Sequence, residues 1–346
     1  GNSPAAFLPN DELDLNIDDL QGAVRAEVLI DHWGGHVGTT NKRFRFNGNS
    51  WIDIAELTTT APGDGECYNQ QRNVVLDIPL SHLTQGTNIV QGDSGGQTCW
   101  NFNWGQWGWY TITVRVYYDA SKAHPTGAIT APSAGVTFGE NPTLSASASS
   151  SAGIDRVEFI AYYDGYDTDG DGVYADYQRS YHRGRRDNEM LIGNHAGTAT
   201  SAPYQVTWDT SLVPDQSPGA VKIMARIRDN NGVWFVTNEI NNLTLQRNGE
   251  SVQLYKPENV PEKYNVRAGR TKSNTFNIPV SQDLSKAISA RILLPTWNGV
   301  DGAAEAGQEH HIKINNWEVP DSSYGANHFY AYDVVDVPTS ELRSGE

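Results

Sequence analysis

The chain has 346 residues, a length that suits two or three sandwich-sized domains rather than one. Its formal net charge of -16 excludes nucleic acid and anionic membrane surfaces as main partners. No apolar run reaches the roughly 18 residues that span a bilayer, so no membrane insertion is expected. No basic-then-apolar leader opens the chain, and Gly1-Asn2-Ser3-Pro4 reads as a mature terminus.

The first strong strand is LQGAVRAEVLIDHW, residues 20–33, in which Val24, Ala26, Val28 and Ile30 alternate onto one face. FRFNGNSW (44–51) is a short alternating strand followed by Asn and a Trp, and LDIPLSHLTQG (76–86) is a further strand with its turn. Cys67 and Cys99 stand in a chain with no metal-type Cys spacing. They are read as a disulfide, stabilising by about 3–4 kcal/mol through loop entropy, with buried free thiols as the alternative. The disulfide reading places the chain outside the cell.

GDSGG (92–96) resembles the nucleophile loop of trypsin-like serine proteases, with Ser94 in the attacking position. That chemistry needs a His and an Asp delivered from well upstream across two barrels. Only 93 residues precede Ser94, and none of His32, His36 and His82 has the Ala-Ala-His-Cys context. The protease reading is rejected, and the motif reads as a Gly-rich turn after a strand.

CWNFNWGQWGWY (99–110) then leads into the strand YTITVRVYYD (110–119). Simple alternation turns Tyr110, Ile112, Val114, Val116 and Tyr118 inward and puts Trp107, Trp109, Thr111, Thr113, Arg115 and Tyr117 on the other face. Sugars are bound by indole and phenol faces against C–H patches, with polar side chains reading hydroxyls. Trp100, Trp104, Trp107, Trp109, Arg115 and Tyr117 are therefore the candidate ligand residues, and the competing role for each Trp is closure of the core. Trp33 is read as core or rim.

The middle segment carries Val157-Glu158-Phe159, then Pro203-Tyr204 with Trp208-Asp209-Thr210, then Ala225 through Asp229 to Gly232. This pattern resembles bacterial immunoglobulin-like repeats. The resemblance implies an Ig-like sandwich acting as a spacer in a secreted or surface protein, with Trp208 in its core. The departure is an insertion at about 164–195, where such repeats have a short turn. Within it, YDTDGDGVYADY sets carboxylates at alternate positions before a Gly, which suits the hard-oxygen shell of Ca²⁺. Asp167, Asp169, Asp171, the Val173 carbonyl and Asp176 are the candidate ligands, with Asp164 able to join. The loop resembles the first half of an EF-hand, but Gln178 stands where that loop has Glu; the alternative is a solvated acidic hairpin. RSYHRGRRD (179–187) reads as a solvated basic loop, with an anionic glycan contact as its alternative. His32, His36, His310, His311 and His328 lack a shared face or helix for zinc.

The end of the chain repeats its start. LSKAISARILLPTW (284–297) matches residues 20–33, IKINNW (312–317) matches 44–51, and VDVPTSELRSG (335–345) matches 76–86, keeping Asp77/Asp336, Pro79/Pro338 and Gly86/Gly345. Trp297 falls opposite Trp33. The strand pattern of both copies resembles galactose-binding-like jelly rolls, the β-sandwich common in carbohydrate-binding modules. The expectation is an all-β chain of three tandem sandwiches: a jelly roll at 1–122, an Ig-like domain at 123–246 and a jelly roll at 247–346. The last is expected to be incomplete, because nothing after Glu346 matches residues 87–119, and to expose Ile292, Leu294, Ile312 and Ile314. Completion by a longer chain or by a strand from another molecule is expected there. The function expected is a secreted, non-catalytic region of a larger bacterial protein that binds a polysaccharide or glycoconjugate at the cell surface. The alternatives are a filament-forming structural protein that self-associates through its open sheet edge, and accessory domains of a polysaccharide-degrading enzyme.

Overall fold

The computed structural model describes residues 12–33, 39–54, 71–96, 107–163, 181–183, 190–192, 195–211, 213–255, 257, 266, 269–297, 311–320 and 330–345. The fold is all-β: the described residues form sheets that are antiparallel except for one parallel pair, residues 137–138 with 244–245, with a few 3-10 turns and no α-helix. None of them forms a helix long and apolar enough to cross a membrane. The chain divides into two compact units, residues 1–122 with 259–274, and residues 123–258 with 275–346.

In the first unit β1 (Glu12–Ile17), β6 (Gly86–Asp93), β3 (Arg43–Phe46) and β4 (Ile52–Asp53) make one sheet in that order. β5 (Gln71–Ile78), β2 (Ala23–Trp33) and β7 (Gly108–Tyr118) make the other. Alternation supplies the core between them. Phe44, Phe46 and Val90 come from the first sheet, and Ala26, Val28, Ile30 and Ile78 from the second. Val24 departs from the expected face and is 59% exposed. The pairing of β2 with β7 slips between Ala23 and Arg25, so Val24 is an extra, bulged residue that the alternation does not count.

The second unit opens with β8 (Thr126–Ala131), β9 (Thr137–Phe138), β10 (Thr143–Ser149) and β11 (Ile154–Tyr162). A separate hairpin joins β12 (Tyr181–Arg183) to β13 (Met190–Ile192). Then follow β14 (His195–Ala199), β15 (Tyr204–Thr207), β16 (Val221–Asp229), β17 (Trp234–Val236) and β18 (Ile240–Leu245). The sheets are β15-β10-β8 and β14-β11-β16-β18-β9, with β17 on β16. Leu144, Phe159, Ile223 and Leu243 fill the interior, and Trp208, 4% exposed, joins them as its motif implied.

The same unit holds β19 (Arg291–Trp297) paired with β22 (Tyr330–Asp336), and β20 (Lys313–Ile314) paired with β21 (Trp317–Glu318). The repeat seen in sequence returns here as backbone register. Glu27 faces Asp77 and Trp33 faces Gln71, while Arg291 faces Asp336 and Trp297 faces Tyr330. Ile17 pairs with Gly86, and Ile278 with Gly345. Asn47 and Asn315 both take the left-handed conformation, φ 51° and 53°, and each amide donates to the turn carbonyl of His82 or Glu341. Equivalent pairing therefore runs through copy two up to Gly345, the position at which β6 begins in copy one. In copy two Ile314 is buried, while Ile292, Leu294 and Ile312 are half-buried.

Candidate functional site

The aromatic strand β7 carries a second bulge. Asp31 pairs with Thr111 but His32 pairs with Trp109, which leaves Tyr110 as the extra residue. One inserted residue resets the alternation. Trp107 and Trp109 consequently pack against the same core as Ile112, Val114 and Val116, not on the face of Arg115 and Tyr117 as alternation predicts. Both indoles stay half-buried at the end of the sandwich, 5.1 Å apart between centroids and inclined at 62°. His32, fully buried, meets Trp107 edge-on at 6.0 Å.

Two features hold this pair in place, and both belong to GDSGG. The Trp107 Nε1–H donates to the carbonyl of Asp93 at 2.8 Å. Gly92 lies under the rings: a Cβ there would stand 2.9 Å from Cζ3 of Trp109 and 3.4 Å from Cζ2 of Trp107. The first glycine of the motif is thus required by the indoles. The rest is not the free hairpin expected but a continuation of β6 along Thr40. Gly95 N–H donates to Thr40 O at 2.8 Å, and Thr40 N–H donates to Gly96 O at 3.0 Å. The Asp93 carboxylate takes Arg43 Nε at 2.7 Å.

Asp93 links the indole pair to a feature that sequence reasoning missed. Ile52 sits opposite Phe44, which faces the core, so Trp51 turns to the outer face of the β1-β6-β3-β4 sheet. There the guanidinium carbons of Arg43 and Arg45 lie 4.9 and 4.4 Å from its ring centroid, and Arg45 Nε donates to Gln91 at 2.7 Å. The signal was present as Arg-Phe-Arg-Phe followed by a Trp across a hairpin. Reading it needed the hairpin register.

Arg115 and Tyr117 lie on the outer face of the other sheet. Tyr117 Oη donates to Glu27 Oε1 at 2.6 Å, Arg115 Nη1 lies 3.2 Å from the same oxygen, and Arg25 bridges Glu27 and Asp77. Burial first, and the bond to Glu27 second, push the Tyr117 phenol above its ordinary range. Glu27, 3% exposed, is the buried centre of this network, while Arg25 and Asp77 form its exposed edge. The surface expected to be one is split in two.

Trp100, Trp104, the calcium-loop residues Asp167, Asp169, Asp171, Val173 and Asp176, and Cys67 and Cys99 lie outside the described residues, as do His36, His310 and His328. The backbones of Trp33 and Trp297 end β2 and β19. His311 Nδ1 bonds Glu318 and holds that carboxyl below its usual range.

No curated protein matches. A solved structure described as Clostridium thermocellum CbhA fibronectin(III)-like modules is similar at 16% identity and a TM-score of 0.22, covering 35% of this chain and 96% of that one. The family model described as Bacterial Ig domain matches residues 125–225, the stretch from β8 into β16, so the middle segment is similar to a bacterial Ig domain.

Proposed function

We propose that the chain is a non-catalytic, glycan-binding region of a bacterial extracellular protein, organised as three sandwiches at 1–122, 123–246 and 247–346. The observation that supports this reading is the half-buried Trp107–Trp109 pair, pinned by Gly92 and Asp93 and continued through Asp93 to Arg43 and Trp51. Indoles already held in place lose little freedom when a pyranose stacks on them, and the neighbouring guanidiniums and amide are placed to read hydroxyls. The match to a bacterial Ig domain agrees with an extracellular setting. In the same reading Asp167, Asp169, Asp171 and Asp176, with the Val173 carbonyl, hold Ca²⁺ and order the insertion.

A glycan array together with pulldown on insoluble polysaccharides tests the proposal. The 346-residue chain is expected to be retained on at least one neutral polysaccharide, and Trp51→Ala is expected to weaken retention without lowering the melting temperature by more than a few degrees. Retention on none would overturn the glycan reading.

A further inference from the structure

We propose that the Ig-like segment carries a second carbohydrate site, at Trp234, that takes carboxylated sugars such as the uronic acids of acidic polysaccharides. The proposal rests on the glycan-binding reading for its ligand class and departs from the spacer role that the Ig-like resemblance implies.

Strand register assembles the site. Arg226 faces Glu158 across β11 and β16, Arg228 faces Arg156, and Trp234 of β17 faces Arg228. The alternate residues Val157, Phe159, Ala225 and Ile227 fill the core, so the charged set and Trp234 share the outer face. The guanidinium carbons of Arg156 and Arg226 lie 4.9 Å from the indole centroid, and that of Arg228 lies 6.0 Å away.

Exposure says how the ring lies. The Arg226 and Glu158 side chains are 6% and 7% exposed, whereas those of Arg156 and Arg228 are 33% and 34%. Trp234 itself is 37% exposed. An indole that keeps this exposure beside a buried guanidinium presents part of its ring to solvent. The buried Arg226–Glu158 ion pair is the support, the exposed part of the indole is the platform, and the half-exposed Arg156 and Arg228 flank it.

Charge then selects the ligand. Asp155 accepts from Arg156 at 2.6 Å and from Arg228 at 2.8 Å, and the Arg228 bond foremost holds its carboxyl below the usual range. Among the described residues this cluster sets three guanidiniums against two carboxylates. A third carboxylate, brought by a sugar whose C–H face stacks on Trp234, matches the set, and guanidinium–carboxylate pairs are strong and directional. The net charge of -16 opposes a polyanion at long range. Screening at physiological ionic strength confines that opposition to about 8 Å, so a carboxylate seated beside Arg156 and Arg228 responds to its immediate neighbours.

Affinity electrophoresis of the 346-residue chain tests the site in gels containing polygalacturonate, its methyl ester, dextran sulfate or the neutral polysaccharide that retains the chain. Polygalacturonate is expected to retard the protein, and Trp234→Ala to weaken that retardation about tenfold, the equivalent of 1.4 kcal/mol. Arg228→Gln is expected to weaken binding to polygalacturonate and to leave the methyl ester unchanged, so it keeps the test open should Trp234→Ala fold poorly. The proposal is overturned if polygalacturonate causes no retardation or if both variants run as the parent. It is equally overturned if dextran sulfate retards parent and Trp234→Ala alike, which is ion exchange without a platform. Retention on a neutral polysaccharide, abolished by Trp51→Ala, beside a failure on polygalacturonate would remove this site alone. Uronate binding beside retention on no neutral polysaccharide would remove the neutral site alone.

Discussion

Replacing Gly92 by Ala isolates the tight approach on which the Trp107–Trp109 arrangement depends. The new methyl would lie 2.9 and 3.1 Å from Cζ3 and Cη2 of Trp109. Ordinary carbon contacts are about 3.5–4.0 Å, so the indole must retreat by roughly 0.5–1 Å. Overpacking of this kind costs about 1–3 kcal/mol. Against it, alanine removes glycine's excess freedom in the unfolded chain, which is worth about 0.4–1 kcal/mol. Trp109 is half-buried at a sheet end and able to yield, so the net loss is expected near 1 kcal/mol, a melting shift of about 2–4 °C. The displacement itself is the more sensitive quantity. Two indoles at 5.1 Å and 62° couple in their far-UV bands, and moving one alters that signal. Gly139→Ala, in the other unit, is the control, since a Cβ there meets nothing within 4 Å. If Gly92→Ala leaves both the melting and the indole couplet unchanged, or if Gly139→Ala disturbs them equally, the account of this site is wrong.

Glu158→Ala is expected to cost about 3–5 kcal/mol in urea unfolding, because it removes the carboxylate that pairs with the buried Arg226, 6% exposed; Glu158→Gln is expected to cost less. Burial pushes the Tyr163 phenol up to about 12 from 10.0. The unfolded chain therefore ionises first: stability is intact below pH 10 and falls by about 2–3 kcal/mol as the pH climbs toward 12, and Tyr163→Phe is expected to remove that fall from alkaline melting curves. Calcium held, as proposed, by Asp167, Asp169, Asp171 and Asp176 would stabilise the folded state by mass action, so EDTA is expected to lower the melting temperature and Asp169→Ala to abolish the difference.

The all-β architecture was legible because Phe44-Arg45-Phe46 and Val157-Glu158-Phe159 alternate cleanly, and period-2 patterning is the signal that survives without coordinates. The repeat was legible for a related reason: Asp77/Asp336 and Gly86/Gly345 mark the same turns. What alternation could not carry was the effect of an uncounted residue. The bulges at Val24 and Tyr110 each shift the pattern by one, exposing Val24 and turning Trp107 and Trp109 to the core. Arg115 and Tyr117, beyond the second bulge, kept their expected face, but a sequence does not show that Glu27 is buried beneath them. The partners of Trp234 come from β11 and β16, and only the strand pairing reveals that Arg156, Arg226 and Arg228 converge on one ring.

The two copies separate what the fold requires from what one copy adds. Asn47 and Asn315, Ile17 and Ile278, and the turns at Pro79 and Pro338 recur with the same backbone bonds, so they answer to the sandwich itself. Trp51 and Trp317 are matched in sequence yet lie on opposite faces. Residues 47–51 turn the first hairpin and place Ile52 opposite Phe44, sending Trp51 outward. Residues 315–316 turn the second, and the shorter loop places Trp317 opposite Ile314, on the core face. A change of hairpin length thus converts a core-facing indole into a surface one without altering the frame around it. The outward Trp51, with Arg43 and Arg45 beside it, is therefore not a by-product of the shared fold, because the shared fold accommodates the same tryptophan on the opposite face. That is the physical reason to seek ligand binding at Trp51 in copy one, and not at Trp317 in copy two.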